Sequence, residues 1–324
     1  MNLIVVILSL VLLITLHELG HFLFAKKFDV KVHEFGIGIP PRMIGKKIGE
    51  TIYSINWIPL GGFVRMLGED EKVEDQRSFS QKPIWQRAII LVAGVVSFWL
   101  VAMLIFAVVS FGWGVTRVEL GEGDFNEAFL VGRGADNIFI EALIDEGALE
   151  FEEEKIVNSE QFNDIFSKRS KADFQREGDN LTIELLDESL IGSLRFGATQ
   201  TVHITRLQAG GLWMALRGAL VGDGLPEGVE LGGPVMIGDM ATDALDSGVG
   251  DYLMFVGMIA TVLAFMNILP IPALDGGRLL FLAVEKVKGS PIPERVERNV
   301  NAAFFVLLLA LMIAITIRDI VNIF

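Results

Sequence analysis

The chain has 324 residues, 52% of them hydrophobic, and a mean hydropathy of +0.50. That balance excludes an ordinary soluble globular protein and makes a polytopic membrane protein the starting expectation. The absence of cysteine excludes disulfides, thiol nucleophiles and thiolate metal sites, and the net charge of −14 argues against nucleic-acid binding.

The first apolar run, Leu3 to Ala25, is long enough to cross a bilayer and ends in Lys26-Lys27 without an A-x-A-like cleavage site, so it reads as a retained transmembrane helix. Three ionisable residues interrupt it, in His17-Glu18-Leu19-Gly20-His21. Ionisable groups at membrane depth cost roughly 2.5–3.5 kcal/mol each on insertion scales, so they are rare there without a function. On a helix His17 and His21 point from one face, the arrangement of H-E-x-x-H zinc sites, in which two His hold the metal and the Glu activates water. A polar cavity in a transporter is the alternative use of such residues.

Residues 30–66 mix β-type alternation with Gly and Pro turns, including Pro59-Leu60-Gly61-Gly62-Phe63-Val64. This stretch is too apolar for a free loop and reads as a re-entrant β element, either a lid or a strand edge able to hold an extended substrate. Further spans are expected at about 88–111, 252–269 and 302–323. The domain plan is a first membrane part at 1–111, an extracytoplasmic module at 112–206, interfacial or amphipathic helices at 207–250 and a second membrane part at 251–324. Within the module, Asn137–Ile144 and Asn180–Leu186 read as strands flanking a helical Glu160–Phe166.

Charge sets the expected topology. Residues 26–87 carry 11 Lys+Arg against 8 Asp+Glu, residues 112–250 carry 10 against 26, and the short connection 276–301 carries five Lys+Arg. The first and third connections are therefore expected in the cytoplasm and both termini outside. His17 then lies roughly 21 Å along the first helix, in the cytoplasmic half of the bilayer.

The third span ends in Asn267-Ile268-Leu269-Pro270-Ile271-Pro272-Ala273-Leu274-Asp275-Gly276-Gly277. Pro270 and Pro272 break the helix, and the freed backbone groups need partners in protein or a wet cavity. Asp275 arrives at a depth compatible with His17 and His21. It is the best-placed third ligand for a zinc that wants three protein ligands and water, or else a cap for the helix that follows.

Taken together, His17 through Phe22, Pro59 through Met66, Gly232-Gly233-Pro234-Val235 and Asn267 through Gly277 resemble the site-2 proteases, in particular bacterial intramembrane metalloproteases of the regulator-of-sigma-E protease type. The resemblance implies one Zn²⁺ per chain held by His17, His21 and Asp275, with Glu18 as general acid and base. It also implies that Asn267, Pro270 and Pro272 help position substrate, and that residues 52–66, with Gly61, Gly62, Phe63 and Val64, contact it in extended form. Such proteins usually carry PDZ domains outside the membrane. Here Glu146-Gly147-Ala148-Leu149 passes straight into acidic residues, so the module is read as one degenerate PDZ-like domain.

The expected fold is thus a polytopic α-helical membrane protein with four transmembrane helices, a membrane-associated β element and a small PDZ-like α/β domain. The expected function is intramembrane zinc proteolysis of single-pass membrane proteins, such as anti-sigma factors or remnant signal peptides, in the bacterial inner membrane. The bilayer and an upstream site-1-type protease are the implied partners. A non-catalytic adaptor or metal transporter is the alternative; a transporter would carry more ionisable residues inside 88–111 and 302–323 than this chain does.

Overall fold

The structure is a computed structural model that describes residues 2–69, 71, 73–113, 115–121, 128–132, 150–151, 154–155, 171–176, 179–185, 189–221 and 233–323. Four of its helices are long and apolar enough to cross a membrane: α1 (Asn2–Lys27), α2 (Ile84–Trp113), α5 (Val249–Ile268) and α7 (Glu294–Ile323). Each is an apolar run without internal proline, in which every backbone polar group can be satisfied within the segment. The chain folds as two compact units. One comprises residues 1–102, 201–242 and 256–324; the other comprises 103–200 and 243–255.

In the first unit, β1 (Val32–Ile48) and β2 (Thr51–Met66) double back on each other to make more than one hairpin. Residues 34–37 of β1 pair on one side with 52–55 and on the other with 62–65, while 42–48 pair with 51–56. The result is four segments in the order 62–66, 32–37, 51–56, 42–48, antiparallel in the two outer pairings and in parallel register between 34–37 and 52–55. The segment 62–66 is therefore an edge. Its inner end is tied into the core: Ala25, Val30, Val32, Val64, Met66, Phe79, Ile90, Leu91 and Leu282 form one buried cluster joining α1, the sheet, α2 and α6 (Asp275–Lys288). The outer end is apolar yet exposed, with Ile39, Met43, Ile44, Trp57 and Ile58 uncovered. That is the surface expected of a β element lying against lipid.

Polar pairs fix the sheet. Glu34 is buried and accepts from Ser54 Oγ at 2.7 Å and Arg42 Nε at 3.0 Å. Burial pushes its carboxyl up, but those two donors outweigh burial and hold it below the ordinary value. At the far turn, Glu50 accepts from both terminal nitrogens of Arg77 and from Lys26 Nζ, each at 2.7 Å, joining the hairpin to the end of α1. The Arg77 guanidinium, then Lys26, hold the Glu50 carboxyl down to about 2 from an ordinary 4.5. A depressed carboxylate contributes stability above its unfolded pKa, and that stability is lost as the pH falls through the folded value. Acid unfolding of the hairpin between about pH 4.5 and 2 is the expected outcome, followed by amide exchange of residues 46–54. A Glu50→Gln variant should show less pH dependence over that interval and lower protection above it.

Helix α4 (Pro234–Ser247) starts with proline at its first position, preceded by Gly233. Buried Asp319 of α7 caps it, accepting from the Met236 N–H at 3.4 Å, and a Cβ at Gly233 would lie 2.4 Å from Asp319 Oδ2. The carboxylate satisfies an orphan amide at a helix N-terminus, so an ionisable residue inside an apolar helix has a structural use here.

In the second unit, β3 (Val115–Gly121), β4 (Ala128–Gly132), β5 (Glu150–Phe151), β6 (Glu154–Lys155), β7 (Lys171–Arg176) and β8 (Asp179–Leu185) form one antiparallel sheet in the order β4-β3-β8-β7-β5-β6. The strand expected at Asn180–Leu186 corresponds to β8. The strand at Asn137–Ile144, the helix at Glu160–Phe166 and the Glu146–Leu149 stretch lie outside the described residues. Helix α3 runs from Leu190 to Val221, beginning well before the expected 207. Its first turns are helical because they pack rather than float: Ser193 and Phe196 are buried, and a Cβ at Gly197 would meet the Met103 carbonyl oxygen at 2.1 Å.

Candidate active site

Helix α1 presents His17 and His21 from one face, as the spacing of four requires, with their Nε2 atoms 3.2 Å apart. Asp275 opens α6 and its carboxylate reaches both: Oδ2 lies 3.2 Å from His17 Nε2 and 3.3 Å from His21 Nε2. Leu274 takes the N-cap position, so Asp275 is not the cap that its place in the sequence also allowed. The three donor atoms form a nearly equilateral triangle, matching the edges of about 3.3 Å expected around a tetrahedral zinc with bonds of about 2.0–2.1 Å. Among the described residues this is the one group of three His, Cys, Asp or Glu side chains able to hold a metal ion.

The surroundings set the donors' orientation. His21 Nδ1–H donates to the Ile90 carbonyl at 2.9 Å, which leaves the Nε2 lone pair facing the triangle. His17 stacks on Phe98, with ring centroids 4.5 Å apart at 18°. Both partners belong to α2, and two glycines let α2 come that close. A Cβ on Gly94 would lie 2.2 Å from His21 Nε2 and 2.8 Å from His17 Cε1; one on Gly20 would lie 2.4 Å from the Ala93 carbonyl oxygen. The glycine inside H-E-x-x-H thus serves helix packing, while Gly94 makes the room that the imidazoles occupy.

Asp275 is placed by the helix break. Leu269 to Leu274 form a turn between α5 and α6, and a Cβ on Gly276 would sit 2.0 Å from the Leu269 carbonyl oxygen. Only a bare backbone lets the first turn of α6 lie against that bend. Ala273 adopts a φ of 77° there, its N–H donating to Asn301 Oδ1 at 3.0 Å. Farther along α6, both terminal nitrogens of Arg87 donate to the Glu285 carboxylate, at 3.0 and 2.5 Å, fixing that helix against α2.

Glu18 stands beside the triangle, and its Oε2 accepts from the Val64 N–H at 3.1 Å. A cavity of about 280 Å³ is lined by His17, Glu18, His21, Phe63, Val64, Asn267 and Asp275 together with Glu69 and Arg278. Of the sequence-derived site residues, Phe63, Val64 and Asn267 therefore share the cavity with the ligands and Glu18. The Asn267 amide is turned partly back, donating to the Leu263 carbonyl at 2.9 Å. Gly61, Gly62, Pro270 and Pro272 do not line it. Gly61, with a φ of 79°, and Gly62 lie against Ile14 and Thr15 of α1, and the two prolines shape the bend.

A carboxylate poised beside a His-His-Asp triangle in a cavity lined by further polar side chains is the equipment of metal-assisted hydrolysis. The sequence model of peptidase family M50 matches residues 5–311. The chain belongs to peptidase family M50. It is thus a metalloprotease of the site-2 protease family, and zinc is its metal, as the resemblance implied. A Clostridium perfringens protein provisionally named a zinc metalloprotease is 30% identical over 343 residues, covering 99% of each chain. The regulator of sigma-W protease RasP from Bacillus subtilis is 26% identical over 424 residues, and the zinc metalloprotease RasP from Geobacillus kaustophilus 27% over 418, each covering 96% of both chains. With four membrane-length helices, this M50 peptidase is a membrane protein.

Sequence reasoning missed Gly94, Phe98, the Ile90 carbonyl and the Glu69–Arg278 pair. The available signal for the first was a glycine in a run of bulky residues, Ile89-Ile90-Leu91-Val92-Ala93-Gly94-Val95-Val96.

Proposed function

We propose that this M50 peptidase hydrolyses peptide bonds inside the transmembrane segments of single-pass membrane proteins, using His17, His21 and Asp275 as zinc ligands and Glu18 as general base and acid. The observation that carries the reading is the His17–His21–Asp275 triangle with edges of 3.2–3.3 Å, built on a membrane-length helix with Glu18 beside it. Zinc held there would polarise water and the scissile carbonyl. Glu18, oriented by the Val64 amide, takes the proton from the attacking water and delivers it to the leaving nitrogen. His17 and His21 are buried on α1, where Phe98 packs against His17 and the Ile90 carbonyl holds His21.

A helical substrate must unwind before its carbonyl can be attacked, since helical carbonyls are already bonded. The edge 62–66 offers the unwound chain replacement main-chain partners, and Asn267 adds a side-chain amide in the same cavity. The exposed apolar outer end of the sheet supports its place against the bilayer. The Lys and Arg balance of the short connections supports the cytoplasmic half of the bacterial inner membrane for the site, with both termini outside. The six-stranded sheet of the second unit would then stand outside as the PDZ-like module, and proteins first trimmed there by another protease are the natural substrates.

The test is reconstitution of the purified chain in lipid with a single-pass substrate, followed by mass spectrometry of the fragments and metal analysis. Cuts inside the apolar segment, with one zinc per chain that Asp275→Asn removes, are the expected result. Cuts confined to loops outside the segment, or zinc retained in Asp275→Asn, would overturn the assignment.

A further inference from the structure

The strand edge at the site ends on a carboxylate other than Glu18. Residues 62–65 pair with β1 along one side (Ile37↔Gly62, Gly36↔Phe63, Phe35↔Val64, Glu34↔Arg65), so amides two apart point away from it. The Val64 N–H donates to Glu18 Oε2 at 3.1 Å and the Met66 N–H to Glu69 Oε2 at 3.3 Å. Glu69 is held through its other oxygen, Oε1, by Arg278 Nη1. Arg278 stands three residues after Asp275 on α6, and the Glu69–Arg278 pair forms part of the wall between the catalytic cavity and a second cavity of about 480 Å³. Proton transfer and metal binding as described above use neither residue.

We propose that Glu69, anchored by Arg278, is a register stop for the substrate: Glu18 takes the Val64 amide and Glu69 the next outward one, so an extended chain pairs no farther than the Val64 carbonyl and one peptide bond is presented to Glu18. Main-chain pairing recognises any sequence, and a slip of two residues keeps every side chain on its own face. A one-residue slip turns every side chain over and is resisted by the pattern itself. The register that needs a physical barrier is therefore the one displaced by two, and a carboxylate at Met66 supplies it. Arg278 matters because an unanchored Glu69 would turn to water. It also ties the end of the edge to the helix that carries Asp275, so the stop and the metal ligand move together. The inference rests on the cavity being the proteolytic site.

The experiment maps scissile bonds by mass spectrometry for the full-length protein in lipid with one single-pass substrate. In parallel, hydrogen exchange at the Met66 amide is measured without substrate. Wild type should give one principal bond. Glu69→Ala and Arg278→Ala should give a second bond two residues away, raised about tenfold over wild type, with the Met66 amide exchanging about tenfold faster, the scale of one lost charge-assisted hydrogen bond. Zinc content should remain that of wild type. A single unchanged bond in both alanine variants, or loss of zinc and activity together, overturns the proposal. So does an unchanged Met66 exchange rate, which needs no activity. Failure of wild type to cut within the membrane segment counts against the protease assignment, and the exchange measurement still decides whether Glu69 closes the edge.

Discussion

Glu18→Gln should leave a folded protein with zinc bound and hydrolysis reduced by about 10²–10⁴-fold, the usual contribution of a positioned general acid–base. Glutamine has the shape of glutamate and keeps an oxygen for the Val64 N–H, so the one hydrogen bond that orients the side chain survives. What disappears is the ability to take a proton. The ligands His17, His21 and Asp275 are untouched, which separates this variant from any that acts through the metal. Substrate cleavage in lipid, metal content and thermal unfolding of the same preparation check the three parts. Loss of zinc in Glu18→Gln would mean the carboxylate serves the metal; undiminished cleavage would remove it from the chemistry.

The second large effect is expected at a residue with no functional group. Gly94→Ala should abolish zinc binding and, with it, activity. Its new Cβ would lie 2.2 Å from His21 Nε2 and 2.8 Å from His17 Cε1, inside the space of the donor atoms. The rings cannot retreat easily: Phe98 stacks on His17, the Ile90 carbonyl holds His21, and Gly20 already lets the two helices touch. Gly112→Ala on the same helix is the control, since among the described residues nothing beyond its own helix lies within 4 Å of its Cβ position. Replacing a helical glycine with alanine generally stabilises by about 0.5–1 kcal/mol, so Gly112→Ala should keep full zinc content and lose no stability. Metal analysis of the two variants against wild type gives the answer. Full zinc in Gly94→Ala would show that the helices can part at no cost to the site.

These two residues mark what the sequence made legible. The spans could be read because lipid forces long apolar runs, and the His17–His21 spacing could be read because a helix converts four residues into one face. Asp275 was reachable from the proline break beside it, with the resemblance supplying its role. The other contributors act through shape or distance. Gly94 works by what it lacks, and in a sequence an absent side chain facing a ligand is the same letter as one facing lipid. The Ile90 carbonyl is backbone and has no letter. Glu69 and Arg278 are 209 residues apart, so only the fold brings them together. The order of the sheet was hidden for a related reason: a strand that pairs on both sides gives the same alternation as one that pairs on a single side. Where α3 begins was hidden because its first turns are polar enough to pass for the end of a domain, until their packing against α2 is seen.

The proposed metal ligands come from the two ends of the chain, His21 on the first helix and Asp275 on the sixth, with 253 residues between them. Zinc bound there acts as a cross-link closing a very long loop. Because the entropy of closing a loop grows only with the logarithm of its length, the cost of that loop differs little from that of one several times shorter. The centre therefore tolerates large changes in what lies between, including insertion or exchange of the whole six-stranded sheet, so long as α1, α2 and α6 can still meet. By the same reasoning, a protein severed between α2 and α3 retains a bond joining its two fragments, and the ion itself becomes the hinge pin of a split enzyme.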